Sequence, residues 1–318
     1  MKIIIQIPCL NEEKTLPIAV KDIPREIEGI DEVEILVIDD GSTDGSVKVA
    51  KEIGVDHIVK FTKTKGLARG FMAGIDACLK LGADIIVNTD ADNQYRGQDI
   101  PMLIKPILDG KADMVIGDRE TDNIEHFSFT KRKLQKLGSW VVRQLSGTDI
   151  PDTTSGFRAF NREAALRINV ISDFSYTLET VIQAGKKNIA VGTVPIGTNK
   201  KLRESRLFSS MTGFLSRSAS TIIRVYATYE PLKVFFTIGG IIFSGGFLIG
   251  LRFLYFYFTS TGASGHVQSL ILGSMLMILG FFLGMIGLVA DLISANRRLI
   301  EDMLYRIRNL ELFFKKNK

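Results

Sequence analysis

DIIVNTDADNQY, residues 84–95, sets the apolar run Ile85–Val87 against Asp90, Asp92 and Gln94 on alternate positions. A short β-branched run ended by polar residues reads as a buried strand. If the extended backbone continued through Gln94, the three oxygen-bearing side chains would share one face. Such a cluster is either a metal cradle or a polar turn.

Four further runs have the same character: KIIIQI (2–7), VEILVID (33–39), HIVKF (57–61) and DMVIGD (113–118), with helical periodicity in the segments that follow. This alternation, to about residue 195, predicts βαβ units. The fold class is therefore α/β, a mostly parallel sheet with helices on both faces. Ligands of such sheets bind beyond the carboxyl ends of the strands, at a topological switch point.

The chain has 318 residues, is 46% hydrophobic and carries a net charge of +5. Its positive mean hydropathy leans toward membrane contact. Nucleic acid is excluded as a partner, because the basic residues accompany apolar segments and no recognition module is present. Cys9 and Cys78 offer no disulfide framework and read as buried thiols of a reducing compartment. The apolar run in MKIIIQIP (1–8) is too short for a signal peptide, which places the N-terminal part in the cytoplasm.

Beyond residue 230 the pattern changes: positions 234–251 and 253–290 contain no charged residue. Two membrane spans are expected, at about 232–258 and 268–292, since a crossing helix needs about 20 apolar residues. Gly239, Gly240, Gly245, Gly246 and Gly250 would let the two helices approach closely. The connecting TSTGASGHVQ (259–268) has no Lys or Arg, whereas Lys233 and Arg297/Arg298 flank the pair. By the positive-inside rule both chain ends face the cytoplasm, giving a multi-pass protein of the plasma membrane. The expected domains are a cytoplasmic one over 1–206, amphipathic juxtamembrane helices over 207–231, the two spans within 232–293, and a basic amphipathic tail over 294–318. That tail places seven Lys/Arg against three acidic residues, as suits an anionic membrane surface. The hairpin and tail allow a homo-oligomer, dimer or tetramer.

Polar clusters close the first, second, fourth and fifth expected strands: PCLNEE (8–13), VIDDGSTDGS (37–46), TDADNQY (89–95) and GDR (117–119). Together with KRKLQKLGSW (131–140) and DTTSGFRAF (152–160), they resemble the family 2 glycosyltransferases of GT-A fold, specifically the polyprenyl-phosphate sugar synthases typified by dolichyl-phosphate mannose synthase. The resemblance covers residues 1 to about 210, and the two spans match membrane-anchored members.

The resemblance implies roles position by position. Pro8, Leu10 and Glu12 line the nucleotide pocket, with Leu10 standing where the family usually has an aromatic residue, and Asp39 reads the base. Asp90, Asp92 and Gln94 hold Mg²⁺ or Mn²⁺ against the diphosphate of a nucleotide-sugar donor, and Arg119 approaches the phosphates. Lys65, before an expected helix start, is a further phosphate candidate or a solvated lysine. Arg132 and Lys136 bind the phosphate of a polyprenyl-phosphate acceptor, dolichyl or undecaprenyl. In KLRESRLF (201–208), Leu202 and Arg203 replace an arginine and a glycine of the family motif, so Arg203 and Arg206 are the acceptor-phosphate candidates there. Glu179 either touches the sugar or is structural.

The chemistry accounts for these residue types. Hard oxygen ligands suit a divalent cation that stabilises a departing diphosphate. Asp92, Arg119 and Arg132 would carry catalysis by positioning and charge stabilisation. A phosphate monoester is largely doubly ionised at neutral pH, so its oxygen attacks without a strong base. One in-line displacement with inversion is expected, from UDP-glucose or UDP-N-acetylglucosamine. The alternatives are a GDP-mannose-dependent dolichyl-phosphate mannose synthase, a processive polysaccharide synthase, and a non-catalytic membrane scaffold.

Overall fold

The computed structural model describes residues 1–119, 142–143, 146–171, 176–200, 220, 224, 227–259 and 267–316. These fall into two compact units, one formed by Met1–Ile222 with Met303–Lys318 and the other by Ile223–Asp302.

The first unit is built on a seven-stranded sheet. The five expected strands are present as β1 (Lys2–Cys9), β2 (Glu32–Asp39), β3 (His57–Lys60), β4 (Ile85–Asn88) and β5 (Met114–Asp118). Two more, β6 (Arg158–Asn161) and β7 (Val191–Pro195), complete the order β3-β2-β1-β4-β6-β5-β7. All neighbouring pairs are parallel except those made by β6, which runs antiparallel to both β4 and β5.

This inversion organises the site. Because β6 is reversed, its amino end lies at the sheet edge where the other strands have their carboxyl ends. The approach to Arg158 therefore joins the loops that follow β1, β2, β4 and β5. The order also reverses at β1, whose successor β2 lies on one side while β4 lies on the other. That is the switch point at which open α/β sheets bind ligands.

Alternation along β1 explains the layers. Ile3, Ile5 and Ile7 share a fully buried core with Leu16 and Val20 of α1 (Leu16–Asp22) and with Leu103 and Ile104 of α4 (Ile100–Leu108). α2 (Ser46–Glu52) adds Ala50 to this layer. On the other layer, Phe71 of α3 (Leu67–Lys80) stacks on Tyr176 at 4.1 Å between ring centroids and meets Phe160 edge-on at 5.9 Å. α5 (Arg162–Arg167) is capped by Asn161, whose Oδ1 accepts from Ala164 N at 2.8 Å. α6 (Tyr176–Lys186) then carries Tyr176 and Glu179.

The apolar segments form α7 (Pro231–Thr259) and α8 (Val267–Lys316), both long and apolar enough to cross a membrane. A Cβ on Gly239 would stand 2.7 Å from Gly280 O, and one on Gly246 would stand 2.6 Å from Gly273 O. Those two of the five expected glycines permit the close approach, whereas Gly240, Gly245 and Gly250 face open space. α8 runs unbroken through the expected boundary at 293/294, since positions 288–316 contain neither Gly nor Pro to stop it. Its last turns belong to the first unit, where the Tyr305 hydroxyl reaches both Glu163 oxygens at 3.0 Å. Most of the 207–231 segment lies outside the described residues.

Candidate functional site

The NTDADNQY stretch does not continue as a strand. β4 ends at Asn88, and Asn93 turns the chain with a positive φ of 57°. Asp90, Asp92 and Gln94 are thus gathered by a turn rather than by alternation in an extended segment. Asp92 Oδ1 accepts from Gln94 N at 3.1 Å, and its Oδ2 accepts from Gln94 Nε2 at 2.7 Å. Segment 197–199 braces this turn, with Asn199 N donating to Gln94 O at 2.9 Å and Asn199 Nδ2 to Asn93 O at 3.2 Å.

The donor set fits a hard cation. Two carboxylates and an amide oxygen are typical ligands for Mg²⁺ or Mn²⁺, and the rest of the shell would come from diphosphate oxygens. Half a turn of the near-isosteric Gln94 amide puts its oxygen where the nitrogen now meets Asp92. Space is kept beside Asp90 as well: a Cβ on Gly156 would lie 3.3 Å from Asp90 Oδ2 and 2.8 Å from the Tyr176 hydroxyl. Among the described residues no three His, Cys, Asp or Glu side chains converge, so a cation here needs Gln94 or the substrate to complete its shell.

Arg119 stands at the end of β5, and its first partner is a carboxylate of the protein. Its Nε donates to Asp152 Oδ2 at 2.6 Å, and Nη2 donates to Asp152 Oδ1 at 2.9 Å and to Thr154 Oγ1 at 2.8 Å. Burial works against the ionised forms of both partners. For Arg119, the neighbouring Tyr95, Asp152 and Asp90 outweigh burial and raise the guanidinium pKa. For Asp152, burial is outweighed by Arg119 and Thr154, and the carboxyl falls below its usual range. Within the 152–156 loop, Asp152 holds Arg119 and Gly156 adjoins Asp90.

The loop after β2 is ordered by its own carboxylates. Asp40 accepts from Lys65 N at 2.7 Å and Gly66 N at 2.9 Å, tying the start of α3 to the β2 edge. Lys65 itself is exposed and places Nζ 4.4 Å from the Phe61 ring centroid, and α3 begins two residues beyond it, at Leu67. Asp39 is fully buried: Oδ1 accepts from Ser42 N at 3.2 Å, while Oδ2 has no hydrogen-bond partner among the described residues. A buried oxygen without a donor is costly, and an incoming N–H would satisfy it. Across the switch point, Pro8 and Leu10 are half-buried, and Glu12 is buried with Oε2 accepting from Thr15 Oγ1 at 2.6 Å.

Glu179 is 2% exposed, and its Oε1 accepts from Ile171 N at 3.0 Å and Gln183 Nε2 at 3.1 Å. Of the two roles left open for it, these bonds describe the structural one. Arg132, Lys136, Arg203 and Arg206 lie outside the described residues. Sequence reasoning gave no role to Asn88, Tyr176 or Arg158. Asn88 Nδ2 donates to Gly156 O at 2.9 Å and to Tyr176 OH at 2.8 Å, joining β4, the 152–156 loop and α6. A polar Asn closing an apolar strand was the available signal.

Residues 4–168 match the family model described as Glycosyl transferase family 2. The chain belongs to that family. It is therefore a glycosyltransferase, and the switch-point edge is its candidate active site. A UDP-N-acetylglucosamine–dolichyl-phosphate N-acetylglucosaminyltransferase of Methanococcus voltae is 30% identical, over 60% of this chain and 83% of that protein. A polyprenol monophosphomannose synthase of Mycolicibacterium smegmatis is 29% identical, over 64% of this chain and 80% of that protein. Among solved structures, glucosyl-3-phosphoglycerate synthase from Mycobacterium tuberculosis, in complex with Mn²⁺, UDP and glucosyl-3-phosphoglycerate, aligns with a TM-score of 0.55. It is 19% identical, over 71% of this chain and 78% of that one, a likeness of the GT-A fold.

Proposed function

We propose that this glycosyltransferase moves one sugar from a nucleotide sugar to a polyprenyl phosphate at the cytoplasmic face of a membrane. The observation that carries the reading is the Asp90–Asp92–Gln94 turn, set at the sheet's switch point with Gly156 leaving room beside Asp90. The acceptor follows from relatives named for dolichyl-phosphate and polyprenol products and from two helices long and apolar enough to anchor the enzyme where such a lipid resides.

In this reading Asp90, Asp92 and Gln94 hold Mg²⁺ or Mn²⁺ against the donor diphosphate. The bound cation neutralises charge that builds on the departing nucleoside diphosphate. The unpartnered Asp39 Oδ2 accepts an N–H of the base, and Pro8, Leu10 and Glu12 form the wall opposite. Arg119 reaches the diphosphate by sharing or exchanging its Asp152 partner. Arg132 and Lys136, with Arg203 and Arg206, gather the lipid phosphate. Its doubly ionised oxygen attacks the anomeric carbon as the bond to the diphosphate breaks, inverting an α-linked sugar to a β-linked lipid phosphosugar. No general base is required.

UDP-glucose or UDP-N-acetylglucosamine is the proposed donor, and GDP-mannose the alternative favoured by the mannose-synthase relative. The test supplies purified full-length protein with undecaprenyl or dolichyl phosphate and each of the three donors, and reads the lipid fraction by mass spectrometry. A lipid-phosphate hexose or N-acetylhexosamine supports the reading. Free sugar without lipid product for every donor would refute it.

A further inference from the structure

Arg158, the first residue of β6, is fully buried. The acceptors its guanidinium meets are neutral oxygens: Ser155 O at 2.7 Å from Nε, Thr153 O at 2.8 Å from Nη2, and Thr177 O at 2.8 Å together with Thr180 Oγ1 from Nη1. Burial pulls its pKa down to about 10, which still leaves a cation at neutral pH. Among the described residues no carboxylate is bonded to it, and a buried cation so placed is costly; an apolar side chain would fill the same core more cheaply. What a guanidinium adds is a rigid fan of donors that bonds in several directions at once. Here the fan points to Thr153 and Ser155 on one side and to α6 on the other.

The segment so fastened is the 152–156 loop, and its two ends meet opposite halves of the candidate site. At one end Asp152 grips Arg119 through both carboxylate oxygens. At the other, Gly156 N donates to Tyr95 OH at 2.8 Å, Gly156 O accepts from Asn88 Nδ2 at 2.9 Å, and the missing Cβ leaves room for Asp90. A small shift of the loop would move the partner of Arg119 and the neighbour of Asp90 together.

We propose that Arg158 is a positioning residue for donor binding, which staples the 152–156 loop to α6 and thereby sets Asp90 for the cation and Arg119 for the diphosphate. The proposal rests on the reading of Asp90, Asp92 and Gln94 as the metal cradle. Arg158 acts at one remove and touches neither cation nor substrate. A purely structural staple would change stability alone.

The experiment titrates Mn²⁺ into the detergent-solubilised full chain with saturating UDP, and in a parallel arm GDP, following free Mn²⁺ by electron paramagnetic resonance. No acceptor or turnover is involved. Arg158→Lys, which keeps the charge but loses the fan, should weaken Mn²⁺ binding about tenfold, the scale of a support lost behind a metal ligand. Thr180→Val removes a single acceptor and should weaken it about threefold. Ile35→Val, a core trim in β2, should lower the melting temperature and leave Mn²⁺ binding as in the wild type. Wild-type affinity in Arg158→Lys and Thr180→Val, despite lowered melting temperatures, would overturn the proposal. If Arg158→Lys does not fold, Thr180→Val decides by itself. Wild-type protein that binds no Mn²⁺ with either nucleotide would instead overturn the metal cradle, and this proposal with it.

Discussion

Arg119 and Asp152 form a two-pronged pair, Nε to Oδ2 at 2.6 Å and Nη2 to Oδ1 at 2.9 Å, with the carboxylate almost wholly buried. The cation expected to face the donor phosphates is therefore already matched by an internal anion. The pair fixes the guanidinium plane, and it makes stability depend on the charge of Asp152.

Asp152→Asn should destabilise the protein by about 3–5 kcal/mol, because it leaves a buried guanidinium without its anion. The pH dependence has a definite sign. Against burial, Arg119 and Thr154 lower the Asp152 pKa, so its contribution is complete above the unfolded value of about 3.9 and is lost as pH falls through the lower folded value. Melting temperatures recorded between about pH 6 and pH 3 should fall more steeply for the wild type than for Asp152→Asn. Parallel curves would contradict the pairing.

Gly41 has a φ of +79°, and a Cβ there would stand 2.8 Å from the backbone of Lys63 and Thr64. Gly41→Ala should therefore cost at least about 1–3 kcal/mol, from left-handed strain and displacement of the 61–66 segment. It should also weaken nucleotide binding, since that segment is tied to Asp40 beside Asp39, the residue proposed to read the base. Calorimetric titration with UDP and GDP checks the second effect.

Glu179 separates a structural carboxylate from a sugar-contacting one. Glu179→Gln keeps an Oε1 acceptor for Ile171 N, so KM for the donor should stay within about twofold of wild type. Glu179→Ala should lower stability by about 1–3 kcal/mol through the unsatisfied buried donors it leaves. A large rise in donor KM for Glu179→Gln would return this residue to the sugar site.

Both cysteines should be silent to thiol reagents in the folded protein. Burial pushes the Cys9 thiol up to about 12 and raises that of Cys78 as well. With 5,5′-dithiobis(2-nitrobenzoate) at about pH 8, near the ordinary thiol pKa, neither should react until the chain is unfolded. Release of one equivalent from native protein would contradict the burial.

The legible part of this fold was the part written in β-branched runs. β1, β2, β4 and β5 are buried through most of their length, so each shows as a run dominated by apolar residues, followed by polar residues that mark the site edge. β6 left no such trace: it is four residues long, opens on Arg158 and is flanked by polar residues. β7 contains Gly192 and ends on Pro195, both unfavourable in strands. Missing β6 hid the antiparallel reversal that brings the 152–156 loop to Arg119 and Asp90. The Asp90–Gln94 cluster was legible as a group, but its geometry was not, because Asn93 takes a left-handed conformation that a period of two does not announce. The Arg119–Asp152 pair joins residues 33 positions apart, and the space beside Gly156 exists only once β4, α6 and the loop are packed together.

The central proposal is that Asp90, Asp92 and Gln94 hold a divalent cation against the departing diphosphate. The measurement is the rate at which radiolabel passes from the nucleotide sugar into polyprenyl-phosphate lipid, before chelation, after exhaustive chelation, and after Mn²⁺ or Mg²⁺ is restored. Transfer should fall by about a hundredfold or more on chelation and recover with the metal, and Asp92→Asn should fall similarly without full recovery. Undiminished transfer by thoroughly chelated wild-type enzyme would contradict the account.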